Sequence, residues 1–425
     1  MRVRKRLNRN RDLCEDLTER ETVIKCAEEI DLLTSEVKRY LSESKAELGD
    51  EELLRKIENM FFSSERMRKV GINELETVIN SVFKRTRSRY GILDGLIEDE
   101  DVNEIMVNGP FRIFAERKRK LVEIDDAFTS EEELENMIRM FASDVHREVN
   151  EANPIVDARL PCGYRVNGVL KNVALNGPIL TIRKFSEVSI SMENLIAYGT
   201  VTRECSDFLS SLVAGGYNIF ISGGTSSGKT TFLNALAMAI GEDERTIIIE
   251  DSSELKLDRL NNKVHMECRN ANSIGKGEVN MAMLIKTSLR MRPDRIIVGE
   301  VRGKEVVDMI QAMSTGHDGS MSTGHGNSIK GMLNRLETMY IMESPIPLYS
   351  VKNQIANAID VFVHLKREAD GRRRVVEVAE LVGYDGRDYV LNYLYAPDGS
   401  GRLVSTGNKL VGRGRMKGHG TAGAE

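Results

Sequence analysis

The chain has 425 residues, room for roughly two or three domains and a large core. Hydrophobic content of 41% and charged content of 29% describe a folded chain with a charge-rich surface, and a formal net charge of −5 gives no basis for general nucleic-acid binding. Five cysteines (Cys14, Cys26, Cys162, Cys205, Cys268) are scattered and never form a C-x-x-C pair, which argues against a zinc ribbon or a disulfide framework and for a reducing compartment. No apolar run approaches the length of a membrane span. The basic stretch from Arg2 to Arg11 is not followed by the apolar segment of a secretory signal. The expectation is a cytoplasmic protein that meets the inner face of the membrane only through partners.

In chain order, residues 1–90 read as a helical N-terminal extension. Apolar residues recur at spacings of three and four over 17–41, 51–62 and 72–86. Residues 91–185 change to short strands and turns, read as a mixed α/β N-terminal domain. Runs at 102–108, 111–115, 120–124, 156–160, 164–170 and 179–184 are the predicted strands. Ser130 with Glu133 predicts a capping box that opens a helix through Phe141. Residues 186–200 are read as a weakly patterned linker, and Thr202 as the start of the next helix. From 201 to 406 strand-like runs at 246–250, 263–267, 295–298, 319–323 and 361–365 alternate with helices, which predicts a mostly parallel sheet with ligands at the carboxyl ends of its strands. The stretch 407–425, rich in Gly, Lys and Arg, reads as a disordered tail.

The segment 217–231 carries the clearest chemistry. An apolar run (Ile219, Phe220, Ile221) breaks into Gly223, Gly224, Thr225, Ser226, Ser227, Gly228, Lys229, Thr230 and Thr231, followed by Phe232, Leu233, Leu236 and Ala239 at helical spacing. That is strand, loop and helix, with the loop fitting G-x-x-x-x-G-K-[ST]. Glycines let the backbone N–H groups curl around phosphate oxygens, and the helix adds the positive end of its dipole. Lys229 would reach the β- and γ-phosphates and the Thr230 hydroxyl would ligate Mg²⁺.

Hydrolysis of a nucleotide also needs a carboxylate and a metal. Ile247 to Ile249 run into Glu250 and Asp251, and Ile296 to Val298 run through Gly299 into Glu300, so two acids end buried strands beyond the loop. Both fit metal or water handling. The segment 313–328 holds Thr-Gly-His twice. His325, expected in a glycine-rich loop just past a strand, is placed to bond a γ-phosphate and report its loss. His317, ahead of that strand, reads as structural or as an interface residue.

The order of phosphate loop, Ile-Glu-Asp at 249–251, Arg-Pro-Asp-Arg-Ile-Ile-Val-Gly-Glu-Val-Arg-Gly at 292–303 and Thr-Gly-His-Asp-Gly-Ser at 315–320 with His325 resembles the ATPases of type II secretion, type IV secretion and type IV pili. Val-Asn-Glu-Ile-Met-Val-Asn-Gly at 102–109, Asp-Ala-Arg-Leu-Pro at 157–161 with Tyr-Arg-Val-Asn at 164–167, and Leu-Thr-Ile-Arg-Lys-Phe at 180–185 extend the likeness, which is greatest to the CpaF-like motors of tight-adherence (Flp) pili. The resemblance covers about residues 90–395.

It implies a RecA-like P-loop NTPase core, ATP and Mg²⁺ as cofactors, and a homo-hexamer working through an inner-membrane platform protein to assemble a pilus or secrete protein. Gly223 to Thr231 would be the Walker A loop, with Glu250 and Asp251 in the acidic box. Glu300 would be at Walker B near Mg²⁺, and His325 would be the histidine-box residue. Glu250, in the acidic box that positions the attacking water, would be the candidate general base, with Glu300 the alternative. Arg165 and Arg183 match basic residues that reach the phosphates, with Arg290 a further candidate. A four-cysteine zinc module, usual in the type II secretion branch, is missing from the sequence. Cys162 is read as neutral. Two alternatives stand beside the pilus motor: a related conjugation or effector-secretion ATPase, and a nucleotide-binding ring scaffold with little turnover.

Overall fold

The architecture comes from a computed structural model that describes residues 17–44, 48–118, 120–145, 147–160, 163–184, 190–269, 271 and 276–411. The basic N-terminal stretch, Cys162 and the tail beyond Val411 lie outside the described residues. The chain divides into two compact units, Met1–Ser186 and Glu187–Glu425.

The first unit opens with helices α1 (Glu19–Lys25), α2 (Ala27–Ser44), α3 (Asp50–Ser63) and α4 (Leu75–Arg87), then a short α5 (Asp94–Glu98). The periodic run at 17–41 is interrupted at Cys26, which caps α1. Strands β1 (Val102–Asn108), β2 (Ile113–Arg117) and β3 (Lys120–Ile124) precede α6 (Glu131–Asp144), and β4 (Ile155–Arg159), β5 (Arg165–Val169) and β6 (Ile179–Arg183) complete one sheet in the order β3-β2-β1-β6-β5-β4. Its pairings are antiparallel throughout. Ile105, Val107, Val166, Leu180 and Ile182 face α6 and the core, so the alternate residues form the other face.

The helices and this sheet pack as one unit. Buried Arg85 on α4 binds Glu133 through Nε at 2.7 Å and donates to the Ala127 carbonyl at 2.8 Å. Ala127 itself belongs to the core of the helical part. Ser130 accepts from the Glu133 N–H as foreseen, but the Glu133 carboxylate accepts from Thr129 N at 2.7 Å instead of reaching back to Ser130. Arg85 has drawn that carboxylate away from the reciprocal half of the capping box.

The second unit begins inside the stretch expected to be an unpatterned linker. Ser191 caps α7 (Met192–Ala197) with a capping box, and Leu195 enters the core. The remaining elements are α8 (Arg203–Ala214), β7 (Ile219–Gly223), α9 (Lys229–Ala237), β8 (Thr246–Glu250), β9 (Lys263–Glu267), α10 (Met281–Ser288), β10 (Arg295–Val301), α11 (Glu305–Ser314), β11 (Met321–His325), α12 (Ile329–Glu343), α13 (Leu348–Ala358), β12 (Val361–Arg367), β13 (Arg373–Tyr384), β14 (Tyr389–Pro397) and β15 (Leu403–Ser405).

They form a 9-stranded sheet in the order β15-β14-β13-β12-β7-β11-β10-β8-β9. From β12 to β9 every pairing is parallel. From β12 to β15 every pairing is antiparallel. Central strands β7 and β8 are buried at every residue, as strands covered on both faces must be. One face packs Ile219, Ile221 and Ile248 with residues of α8 and α9. The other packs Phe220, Ile247, Ile249 and Phe362 with residues of α10 to α13. The antiparallel extension β13–β15 lies beyond the predicted strands. Parallel order brings the carboxyl ends of β7, β8, β10 and β11 to one edge, where Gly223, Glu250, Glu300 and His325 sit. Among the described residues no helix is long and apolar enough to cross a membrane.

Candidate active site

The loop between β7 and α9 turns twice through the left-handed region, at Ser226 (φ 57°) and at Gly228 (φ 92°), which is the residue before the helix. Gly223 has no room for a side chain, since a Cβ there would lie 2.5 Å from the Leu365 carbonyl oxygen and 2.5 Å from Ser227 Oγ. A Cβ on Gly224 would meet nothing within 4 Å, so the loop is open on that side. Lys229 begins α9 and is only 6% exposed. Its Nζ donates to the Gly224 carbonyl at 3.1 Å and to His325 Nδ1 at 3.2 Å. Burial pulls the Lys229 ammonium below its ordinary pKa, partly offset by the charge of Glu300.

Glu300 owes its position to an irregularity in β10. Val298 pairs with Ser322 and Val301 with Gly324, so β10 spends one residue more than β11 over this interval. Such a bulge re-aims a side chain. The Gly299 carbonyl accepts instead from Thr323 Oγ1 at 2.7 Å. Glu300 Oε2 accepts from Arg302 at 2.7 Å, and the same guanidinium lies 3.6 Å from Asp251. His325 Nε2 stands 2.8 Å from Glu300 Oε1, within ion-pair distance but off the alignment of a hydrogen bond. Burial lowers the His325 pKa, and the charges of Lys229, Arg302 and Arg335 add to that effect while Glu300 opposes it. With Nδ1 accepting from Lys229, the ring proton sits on Nε2, on the side of Glu300. His325 is the last residue of β11, one step inside the strand end where the sequence had suggested a loop.

Glu250 is built differently. It is 3% exposed, and its carboxylate accepts from Glu254 N at 3.0 Å and Leu255 N at 3.2 Å and meets His265 Nε2 at 2.5 Å. Gly299 makes room for it, because a Cβ there would fall 2.8 Å from Glu250 Cγ. The carboxylate ties the turn after β8 to the neighbouring strand β9.

Three buried oxygens at this edge have no hydrogen-bond partner among the described residues: Ser227 Oγ within the loop, Ser252 Oγ just past β8, and Glu300 Oε1, which only faces His325 Nε2 out of alignment. Leaving such a group unpaired costs on the order of 1–3 kcal/mol, so Ser227 Oγ, inside the loop itself, suits a ligand that arrives. The donors and acceptors fit Mg²⁺-nucleotide. Loop N–H groups and the Lys229 ammonium suit phosphate oxygens, and the Thr230 hydroxyl and Glu300 carboxylate are hard oxygen ligands of the kind Mg²⁺ takes.

Lys229 and Glu300 thus both contact His325, and Gly223 to Thr231 form the loop beside them. Arg165 and Arg183 are cross-strand neighbours on β5 and β6, and Arg165 makes a bidentate bond to Asp157 (3.1 and 2.7 Å). Arg290 is exposed and lies between α10 and the first residue of β10. That is the edge opposite the phosphate loop, so the fold does not bring Arg290 to its own chain's loop. His317 bonds near the end of α11, with Nδ1 3.2 Å from the Ala312 carbonyl oxygen, also away from the loop.

Three site neighbours escaped the sequence reading. Arg302 had a usable signal, since it lies two residues from Glu300, just past the end of β10. His265 lies on the neighbouring strand two residues before Glu267, which pairs with Glu250. Arg373, whose Nε donates to the Ser226 carbonyl at 3.0 Å, is 147 residues away in the chain and had no local signal.

This combination defines a P-loop nucleotide site at the carboxyl edge of a RecA-like sheet. The chain matches the family of type II/IV secretion system proteins over residues 87–411 and belongs to it. Among its relatives, a putative conjugal transfer protein of Mycobacterium tuberculosis is 32% identical over 335 residues, spanning 77% of this chain and 95% of the relative. Conjugal transfer protein TrbB of Rhizobium radiobacter is 34% identical over 298 residues, 69% of this chain and 88% of that protein. The ATPase DotB of Legionella pneumophila shares the fold with a TM-score of 0.51 at 21% identity, over 71% of this chain and 82% of its own.

Proposed function

We propose that this chain hydrolyses Mg²⁺-ATP and uses the energy to drive a secretion-type machine. The observation that carries the reading is the Lys229–His325–Glu300 contact beside a loop whose buried Ser227 hydroxyl has no hydrogen-bond partner among the described residues. In the reading, Lys229 leaves the Gly224 carbonyl and His325 to meet the β- and γ-phosphates. Thr230 and Glu300 hold Mg²⁺, Glu300 directly or through water. Bound Mg²⁺ supplies charge neutralisation at the phosphate oxygens. Glu300, whose Oε1 has no aligned hydrogen-bond partner, is the better candidate to orient water, and Glu250 holds the turn behind it. His325, once Lys229 has moved, carries a proton on Nδ1, donates it to a γ-phosphate oxygen, and passes the loss of that phosphate on to β11.

The finer picture is a cytoplasmic ring of six chains at the inner face of the membrane, engaging a platform protein to assemble a tight-adherence pilus. It is supported by the resemblance over residues 102–109, 157–167 and 292–325. In such a ring Arg165 and Arg183 would bring guanidinium forks to nucleotide phosphates, and Arg290 would act only in a neighbouring chain's site. A second reading, a motor for conjugation, is supported by the two relatives of 32% and 34% identity that carry conjugal transfer names.

The test is Mg²⁺-dependent ATP hydrolysis by the full chain, with particle mass measured in the same samples. The expected result is turnover by a six-chain species that Lys229→Ala reduces about 10²- to 10³-fold, the range for losing one preorganised charge partner. Turnover that survives Lys229→Ala would remove the site from the reaction.

A further inference from the structure

We infer that Arg373, at the start of β13, is a positioning residue that holds the phosphate loop open for nucleotide. The inference rests on the nucleotide reading above and adds a residue to it. Two contacts carry it. Arg373 Nε donates to the Ser226 carbonyl at 3.0 Å. Its aliphatic stem lies against Gly228, where a Cβ would stand 3.1 Å from Arg373 Cδ. The side chain therefore grips the loop on both sides of Ser227, whose buried hydroxyl has no hydrogen-bond partner.

The chemistry of the loop makes this grip consequential. A phosphate cradle works because its N–H groups point inward, and each inward N–H requires neighbouring carbonyls to turn elsewhere. Ser226 is a non-glycine residue at φ 57°, a conformation that L side chains rarely adopt and that needs external support. A Ser226 carbonyl bonded to Arg373 cannot turn into the cradle, where it would repel phosphate oxygens. The support is itself rigid. β12 pairs with β7 up to Leu365 beside Gly223, and its hairpin with β13 carries Arg373 opposite Arg367. The phosphate loop is thus held from the antiparallel extension of the sheet, outside the nucleotide-binding motif itself.

The test compares the full chain with Arg373→Ala and Arg373→Lys, measuring Kd for Mg²⁺-ADP, KM and kcat for Mg²⁺-ATP, and the Tm of the ligand-free protein. Lysine keeps the charge but has a methylene where Arg373 places its Nε–H. The expected result is a Kd and KM raised about tenfold in both variants, the equivalent of roughly one net hydrogen bond. The change in kcat should be smaller, with Tm within about 2 °C of the parent, as for a substitution outside the core. Tight binding restored by lysine would overturn the inference in favour of a bare charge effect. Unchanged Kd in both variants would overturn it outright. Weak binding accompanied by a Tm loss of several degrees would reduce Arg373 to a general stabiliser and overturn it as well. A parent chain that binds no Mg²⁺-ADP would instead remove the nucleotide reading, and the inference with it.

Discussion

Glu250 and Glu300 lie at the carboxyl ends of neighbouring parallel strands, follow similar apolar runs, and look interchangeable in the sequence. Their surroundings differ. Glu250 is buried with backbone N–H groups of Glu254 and Leu255 and the ring of His265 on its oxygens. Glu300 is carried by a bulge, held by Arg302 on one oxygen, and left without an aligned partner on the other. A carboxylate that already satisfies its neighbours is part of the scaffold. One with an uncommitted oxygen beside a phosphate loop is available to a metal or a water. Gly299 couples the two, making room for Glu250 while forming part of the bulge that aims Glu300.

The comparison can be broken most sharply at Glu300. Glu300→Gln should lower turnover about 10²- to 10⁴-fold, the scale of general acid–base or charge effects, while nucleotide binding persists. Next in size, Gly299→Ala pushes a methyl toward Glu250 Cγ and should cost about 1–3 kcal/mol of stability by overpacking, read as a lower denaturant midpoint. Because both acids move, turnover should fall with it; unchanged turnover would show that the bulge does not aim Glu300. The smallest effect is expected for His265→Gln, which keeps a donor for Glu250 and should cost on the order of 1 kcal/mol with turnover within a few-fold of the parent. A turnover loss as large as that of Glu300→Gln would mean that the Glu250–His265 pair takes part in the chemistry.

What was legible in the sequence was mostly local. The phosphate loop announces itself within nine residues, and the buried parallel strands read as unbroken apolar runs. The positions of Glu250, Glu300 and His325 at one edge follow from that pattern and from parallel order. The roles of the two acids were not legible, because the groups that distinguish them come from a turn, a bulge and the next strand. The resemblance placed Arg290 among the phosphate-binding residues, but the fold sets it at the opposite edge of the sheet. The helix at Met192–Ala197 was missed because its apolar contribution to the core is slight, with Leu195 as its one buried residue. The antiparallel strands beyond Leu365 were missed because bulges break their alternation, at His364/Leu365 and again at Val378/Ala379 and Leu381/Gly383. Arg373 shows the general limit, since its partner Ser226 lies on an element that no spacing rule connects to it.

The most direct measurement is Mg²⁺-ATP turnover at saturating nucleotide for the parent, Glu300→Gln and Glu250→Gln side by side, with nucleotide binding and thermal stability recorded on the same preparations. The account predicts a binding-competent, well-folded Glu300→Gln with turnover nearly abolished, and a Glu250→Gln that loses stability and retains the larger share of turnover. A folded Glu250→Gln that binds nucleotide but is silent, beside an active Glu300→Gln, would contradict it and exchange the roles of the two acids.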